Sequence, residues 1–230
     1  MRDAVPKILR FPSVETALTD PNGLLASGGD LSMAVLLEAY RHGIFPWFNP
    51  GEPILWWSPD PRMVLEPGAI RVTRSLARRL RNGGFELRVD SAFVEVMSAC
   101  AGPRDGAAGT WISPAMVAAY LRLHQAGYAH SIETWHEGQL VGGLYGVAIG
   151  RMFYGESMFS REPDASKVAL VRLCRQLQRW QFGLIDCQME TPHLASLGAR
   201  NLPRAEFCER VAELVNLPHL SGTWTFDAPD

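Results

Sequence analysis

The chain has 230 residues, 47% of them hydrophobic, and a formal net charge of −2. That supplies one sizeable core, or a core with a small satellite domain, and excludes a protein coated in nucleic acid while leaving room for a local basic patch. No apolar run is long enough to span a bilayer, and the start MRDAVPKILRFPS lacks a signal-peptide hydrophobic region, so the expected location is the cytoplasm.

The four cysteines (Cys100, Cys174, Cys187, Cys208) contain no CxxC pair, and the six histidines form no HExxH. Buried thiols are expected rather than a disulfide framework or a zinc site.

In chain order, NGLLASGGDLS (22–32) is turn-rich and delivers a helix start. Ser32 is placed to cap MAVLLEAYRH, where Leu36, Leu37 and Tyr40 recur at helical spacing and Gly43 offers a left-handed stop. Residues 43–62, GIFPWFNPGEPILWWSPDPR, hold three tryptophans, two phenylalanines and five prolines. The prolines argue against a long helix or a central strand. Aromatic surface on irregular backbone is then either a plug between domains or a floor on which something flat stacks. A boundary is expected near Arg62, giving domains 1–62 and 63–230.

TRSLARRLRN (73–82) reads as a helix, FELRVD as a strand, SAFVEVMSACA as a helix and PRDGAAG (103–109) as a flexible turn. SPAMVAAYLRLHQAG is the clearest helix, with Ser113 at its N-cap, Pro114 in the first turn and Gly127 past its end. AHSIETWH and QLVGGLYGVAIG flank Glu137-Gly138, a hairpin signature. The strand RMFYGESMF, the amphipathic helix DASKVALVRLCRQLQRWQFG closed by Gly183, and the strand LIDCQM form a β–α–β unit, and PRAEFCERVAELV is the last helix. The fold class is α+β: a mostly antiparallel sheet carrying helices.

Three features carry chemistry. In LIDCQM, strand alternation puts Asp186 and Gln188 on one face, either as a solvated edge or as a site. In YGESMFS, a bulge at Gly155 would let Phe153 and Glu156 reach one cavity. In TRSLARRLRN, Arg74, Arg78 and Arg81 form one stripe with Arg79 beside it, a solvated face or a match for phosphate backbone.

These residues sit in a series of motifs: GLLASGGDLS, AYRHGIFPWF, ILWWSPDPR, TWISPAMVAAYLRLHQAGYAHSIE, LVGGLYGV, GESMFS, and LIDCQ followed by HLASLGA. Together and in this order the sequence resembles the leucyl/phenylalanyl-tRNA–protein transferases along nearly its whole length. The resemblance implies a small N-terminal domain and a larger acetyltransferase-like (GNAT) domain. It implies transfer of leucine or phenylalanine, sometimes methionine, from aminoacyl-tRNA to an N-terminal arginine or lysine of a protein. The product would pass to an adaptor and protease of the N-end rule pathway, and no metal or organic cofactor is implied.

With that substrate, Trp47 matches an adenosine-contacting tryptophan, Trp111 walls the same cleft, and Tyr40 and Tyr120 belong to the substrate site. Trp56 and Trp57 are expected as the interdomain plug. Leu170, Leu173 and Leu177 share a helix face and, with Leu144, Phe153 and Ile185, are the expected apolar pocket for the donated side chain. Gln188 would accept a hydrogen bond from the attacking amine, and Asp186 would orient the Gln188 side-chain amide. Glu156 would hold either the acceptor's basic side chain or the donor's ribose. Arg74, Arg78, Arg79 and Arg81 would grip tRNA.

Two other classes compete. An acyl-CoA-dependent acetyltransferase would need a Gly-rich phosphate turn, and SMFSREPDASKVAL has no glycine. A non-catalytic tRNA- or peptide-binding module would leave Asp186 and Gln188 idle.

Overall fold

The computed structural model describes residues 11–102 and 111–227; the turn expected at 103–109 lies outside them. From the N-terminal side come β1 (Leu24–Ser27), α1 (Met33–Arg41), β2 (Phe45–Pro46), β3 (Leu55–Trp57) and β4 (Arg62–Leu65). Then follow α2 (Arg74–Asn82), β5 (Glu86–Val89), α3 (Phe93–Cys100), α4 (Pro114–Gln125), β6 (Ala129–His136), β7 (Gln139–Ile149) and β8 (Met152–Ser160). The chain continues through α5 (Ala165–Arg179), β9 (Leu184–Gln188), α6 (Pro192–Ser196), β10 (Arg200–Leu202) and α7 (Arg204–Leu214).

Local chemistry accounts for many of these limits. Thr73 Oγ1 accepts from Leu76 N at 3.2 Å to start α2, and Ser113 Oγ accepts from Met116 N at 3.3 Å to start α4. Glu137 and Gly138 both take positive φ (49° and 75°), as a two-residue hairpin turn demands. The left-handed residue just beyond α5 is Gln181 (φ 59°), not the expected Gly183. Gly183 serves close approach instead: a Cβ there would lie 2.6 Å from the Leu214 side chain.

The Trp/Pro segment departs from expectation. It contributes β2 and β3, and β3 is the central strand of a three-stranded antiparallel sheet ordered β1-β3-β2. Three residues fit between Pro53 and Pro59, so the central strand itself carries no proline; the one proline in the ladder, Pro46, sits in the edge strand β2, where it is tolerated. The turn-rich stretch before α1 likewise supplies β1.

The larger sheet has seven strands in the order β10-β4-β9-β8-β7-β6-β5, antiparallel except for the β8/β9 pair. That pair is joined by α5, the expected β–α–β crossover. One core cluster joins α1, α3, α4 and α7 to one face of this sheet, with Tyr145, Tyr154 and Phe207 buried there. The opposite cluster lies under α5, where Leu144, Phe153, Leu173 and Ile185 are buried. Alternation along β7 sends Tyr145 to the first and Leu144 to the second. Trp56 and Trp57 are buried in the first cluster, plugging the three-stranded sheet onto the main body. Trp56 Nε1 donates to Gly28 O at 2.9 Å, and Trp57 Nε1 donates to Trp47 O at 2.6 Å.

Candidate active site

The β8/β9 ladder opens partway along. Parallel pairing runs Met152↔Leu184, Phe153↔Ile185, Tyr154↔Asp186 and stops. On the other edge of β8, Tyr145 pairs with Ser157 and Gly146 with Gly155, so Glu156 is the extra residue of a bulge. Gly146 makes this crossing possible, because a Cβ there would lie 2.3 Å from Tyr154 O. Beyond the last pair lies a cavity of about 340 Å³, at the small end of the roughly 300–1,000 Å³ usual for ligand pockets. Leu144, Phe153, Leu170, Leu173 and Ile185 form its apolar lining; Glu156, Gln188, Thr191 and His193 supply polar groups. The bulge thus brings Phe153 and Glu156 to one cavity, as YGESMFS suggested. Leu177 is a correction: it is buried in the core beneath α5 and does not line the cavity. It sits a further turn along α5, back over the paired part of β8 and β9 and away from the point where they part.

Glu156 is held by two phenols. Tyr40 Oη lies 2.6 Å from Oε1 and Tyr120 Oη 3.0 Å from Oε2, and the two hydroxyl oxygens also lie within hydrogen-bond reach of each other, so the phenol protons are shared among the three contacts. Burial pushes the carboxyl up from 4.5 to about 7, against the two hydroxyls, which hold it down. Burial also holds both phenols well above the usual range, followed by the Glu156 charge. Tyr40 and Tyr120 therefore reach the cavity through Glu156 rather than lining it.

Asp186 has a different partner from the one expected. Its side chain is fully buried against Arg62, which is fully buried too: Nε to Oδ1 at 2.8 Å and Nη2 to Oδ2 at 2.6 Å. Oδ1 also accepts from the backbone N–H of Gln188 at 2.9 Å. Asp186 thus contacts the Gln188 backbone, rather than orienting the side-chain amide as strand alternation suggested. Gln188 takes a left-handed φ of 58°, unusual for a residue with a side chain and costing about 1–2 kcal/mol. Arg62 is hard to find from sequence because a lone arginine at a proline-rich boundary carries no period. Its one signal is position, at the first residue of a strand otherwise apolar (RMVL).

Two further groups reach the cavity. Burial drives the Cys187 thiol far up, helped by the Asp186 charge, so it is no thiolate nucleophile. Burial and then Lys167 hold the His193 imidazole below its usual 6.5, so it is neutral at pH 7. His193 lies in HLASLGA, a motif whose spacing assigns it no role.

Trp47 and Trp111 lie outside the cavity lining. Trp47 is 40% exposed, edge-on to Trp57 at 5.5 Å between centroids; Trp111 is partly buried. Arg74, Arg78 and Arg81 are exposed along α2. Arg79 turns aside to Glu162 at 3.5 Å and over the Phe85 ring at 4.7 Å. Among the described residues no helix is long and apolar enough to cross a membrane.

Known proteins match this layout. A family model for leucyl/phenylalanyl-tRNA protein transferase matches residues 64–212, and one for the N-terminal domain of that transferase matches 29–60. The leucyl/phenylalanyl-tRNA–protein transferase of Thiobacillus denitrificans is 78% identical over 228 residues, 99% of this chain and all of that one. That of Nitrosomonas europaea is 63% identical over 217 residues, 94% of this chain and 92% of that one. Among solved structures, a GCN5-related N-acetyltransferase from Kribbella flavida aligns with a TM-score of 0.39 at 15% identity, covering 75% of this chain and 61% of that one. An L-PGS from Bacillus licheniformis aligns at 0.41 and 10% identity, covering 69% and 52%. Family models over both segments and close relatives over the whole length agree: this chain belongs to the leucyl/phenylalanyl-tRNA–protein transferase family, and is an aminoacyltransferase acting on aminoacyl-tRNA and protein.

Proposed function

We propose that the enzyme transfers leucine or phenylalanine, and sometimes methionine, from aminoacyl-tRNA to an N-terminal arginine or lysine. The new N-terminus would mark the acceptor for an adaptor and protease of the N-end rule pathway, in the cytoplasm where charged tRNA is made. One observation carries the reading: an apolar cavity sized for a single side chain has the Glu156 carboxylate and the Gln188 side chain at its polar edge. The apolar lining suits the donor side chain, separating candidates by size at roughly 1–3 kcal/mol per methylene. The carboxylate suits the acceptor's cationic side chain.

The reaction joins the acceptor's α-amine to the donor's carbonyl carbon and breaks the ester to the ribose 3′ oxygen. The amine gives up a proton and the departing oxygen takes one. An α-amine of pKa about 8 is already partly neutral at pH 7, so positioning matters more than strong base catalysis. Gln188 accepts a hydrogen bond from that amine through its side-chain carbonyl, and Asp186 positions Gln188. Trp47 and Trp111 stack or flank the terminal adenosine. Arg74, Arg78 and Arg81, with Arg79 beside them, run along the acceptor-stem backbone.

The test supplies labelled leucyl-tRNA or labelled acetyl-CoA with peptides starting in Arg, Lys, Ala or Glu. Leucine is expected on the Arg and Lys peptides alone. Acetyl transfer, or equal labelling of the Ala peptide, overturns the reading.

A further inference from the structure

One buried side chain, Arg62, joins the segment leading into β2 directly to β9. Arg62 is fully buried, and its Cζ lies over two rings, 4.8 Å from the Phe45 centroid and 4.6 Å from that of Phe207. Its Nη1 donates to Gly43 O at 3.0 Å, while Nε and Nη2 grip both oxygens of Asp186. Every nitrogen of the guanidinium therefore has a partner, and those partners come from two regions. Gly43 and Phe45 belong to the segment that leads, two residues on, to Trp47. Asp186 belongs to β9, and Phe207 to α7.

The far side of this contact bears on Gln188. Asp186 Oδ1 takes both Arg62 Nε and the Gln188 N–H, and the Asp186 side chain has no exposed surface. Asp186 borders the cavity, but both of its carboxylate oxygens are already bonded inside the fold, and one of those bonds holds the backbone of its neighbour. That neighbour ends the strand at φ 58°, where an L-residue stays only if its surroundings fix it.

We propose that Arg62 is a positioning residue for aminoacyl transfer, fixing the left-handed turn at Gln188 through Asp186 and tying it to the aromatic segment that carries Trp47. This rests on the proposed role of Gln188 in holding the attacking amine. Arg62 and Asp186 form one buried clamp, with no proton passing to Asp186. A lysine could keep the charge but not the fork, since its ammonium cannot span both carboxylate oxygens and Gly43 O in one plane.

The test has two arms. In the first, amide hydrogen exchange on the wild-type protein reads the Gln188 N–H without any substitution. Protection like that of the β9 ladder is expected; exchange at the rate of an open loop overturns the clamp. In the second, Arg62→Lys, Gln188→Ala and the double variant are compared in single-turnover transfer of leucine to an Arg-started peptide. Arg62→Lys is expected to lower the rate about a hundredfold, the cost of a small misplacement, with leucyl-tRNA affinity unchanged. Because Arg62 acts through Gln188, the double variant should be no slower than Gln188→Ala alone. Additive losses mean that Arg62 only supports the fold, and they overturn the proposal. If Arg62→Lys does not fold, the exchange arm decides. If the wild-type protein transfers no leucine at all, the functional reading falls and exchange at Gln188 still reports on the clamp.

Discussion

Glu156 is the group whose titration the reaction should reveal. Its carboxyl is lifted from 4.5 to about 7 by burial, so near neutrality only part of it carries the charge that would hold a cationic acceptor. Below about pH 6 the ionised fraction falls about tenfold per pH unit, and so does the neutral fraction of the acceptor amine. The kcat/KM for an Arg-started peptide should therefore drop about a hundredfold per pH unit in the wild type. Glu156→Gln keeps the shape and removes the titration. It should start from a lower plateau and drop only about tenfold per unit. Stability should move the other way. A folded pKa raised above the unfolded one contributes stability that is fully present below 4.5 and lost as pH rises through 7. At about 1.4 kcal/mol per pH unit this is at most about 3 kcal/mol, so Glu156→Gln should exceed the wild type by up to that amount at pH 8 and by little at pH 4. Peptide-transfer rates across pH and urea denaturation at both pH values check the two halves. A wild-type profile with the same slope as Glu156→Gln, or a variant no more stable at pH 8, refutes the reasoning.

Tyr40→Phe removes a hydroxyl that holds the Glu156 pKa down, so the midpoint of the acid limb should move to higher pH; an unmoved midpoint would detach Tyr40 from Glu156. Trp47→Ala should weaken donor binding by about 1–3 kcal/mol, the worth of one stacked base, and leave the melting temperature unchanged because the ring is 40% exposed. Trp56→Ala should instead destabilise the fold by about 3–5 kcal/mol, read by denaturation. Replacing Arg74, Arg78 and Arg81 together with alanine should flatten the salt dependence of tRNA affinity by about two to three units. It should spare an aminoacylated adenosine that lacks the stem; equal damage to both donors would make the stripe structural.

Features carried by period are legible in the amino-acid sequence alone. The α4 cap at Ser113, the Glu137-Gly138 turn and the β8–α5–β9 crossover each follow from a local rule, and each is found. The bulge at Glu156 is legible because Gly155 marks it. What escapes depends on contacts far apart in the chain. Arg62 meets Asp186 across 124 positions, and Tyr40 meets Glu156 across 116. No spacing rule connects such pairs, and the motif resemblance names Tyr40 without saying what it touches. Leu177 shows the opposite failure. Helical spacing places it with Leu170 and Leu173, but spacing cannot say where along a buried face the cavity ends.

The cavity opens where the β8/β9 pairing ends, and that coincidence accounts for the composition of the site. A ladder satisfies its own backbone groups and buries its side chains on both faces, as with Phe153 and Ile185 on one face and Tyr154 on the other. Past Tyr154↔Asp186 the strands part, and each must satisfy its freed groups in another way. β9 does so by giving the Gln188 N–H to Asp186 Oδ1, which needs a buried carboxylate, which in turn needs a buried cation: hence Arg62. β8 bulges, and Glu156 then turns inward among hydroxyls rather than out to water: hence Tyr40 and Tyr120. The two carboxylates so placed are not equivalent. Asp186 is bound directly by a permanent cation inside the fold, whereas Glu156 is hydrogen-bonded to neutral phenols and feels the Arg62 charge only at a distance. On the proposed function, Glu156 is the one of the two left to be matched by a cation from outside, the side chain of an N-terminal arginine or lysine.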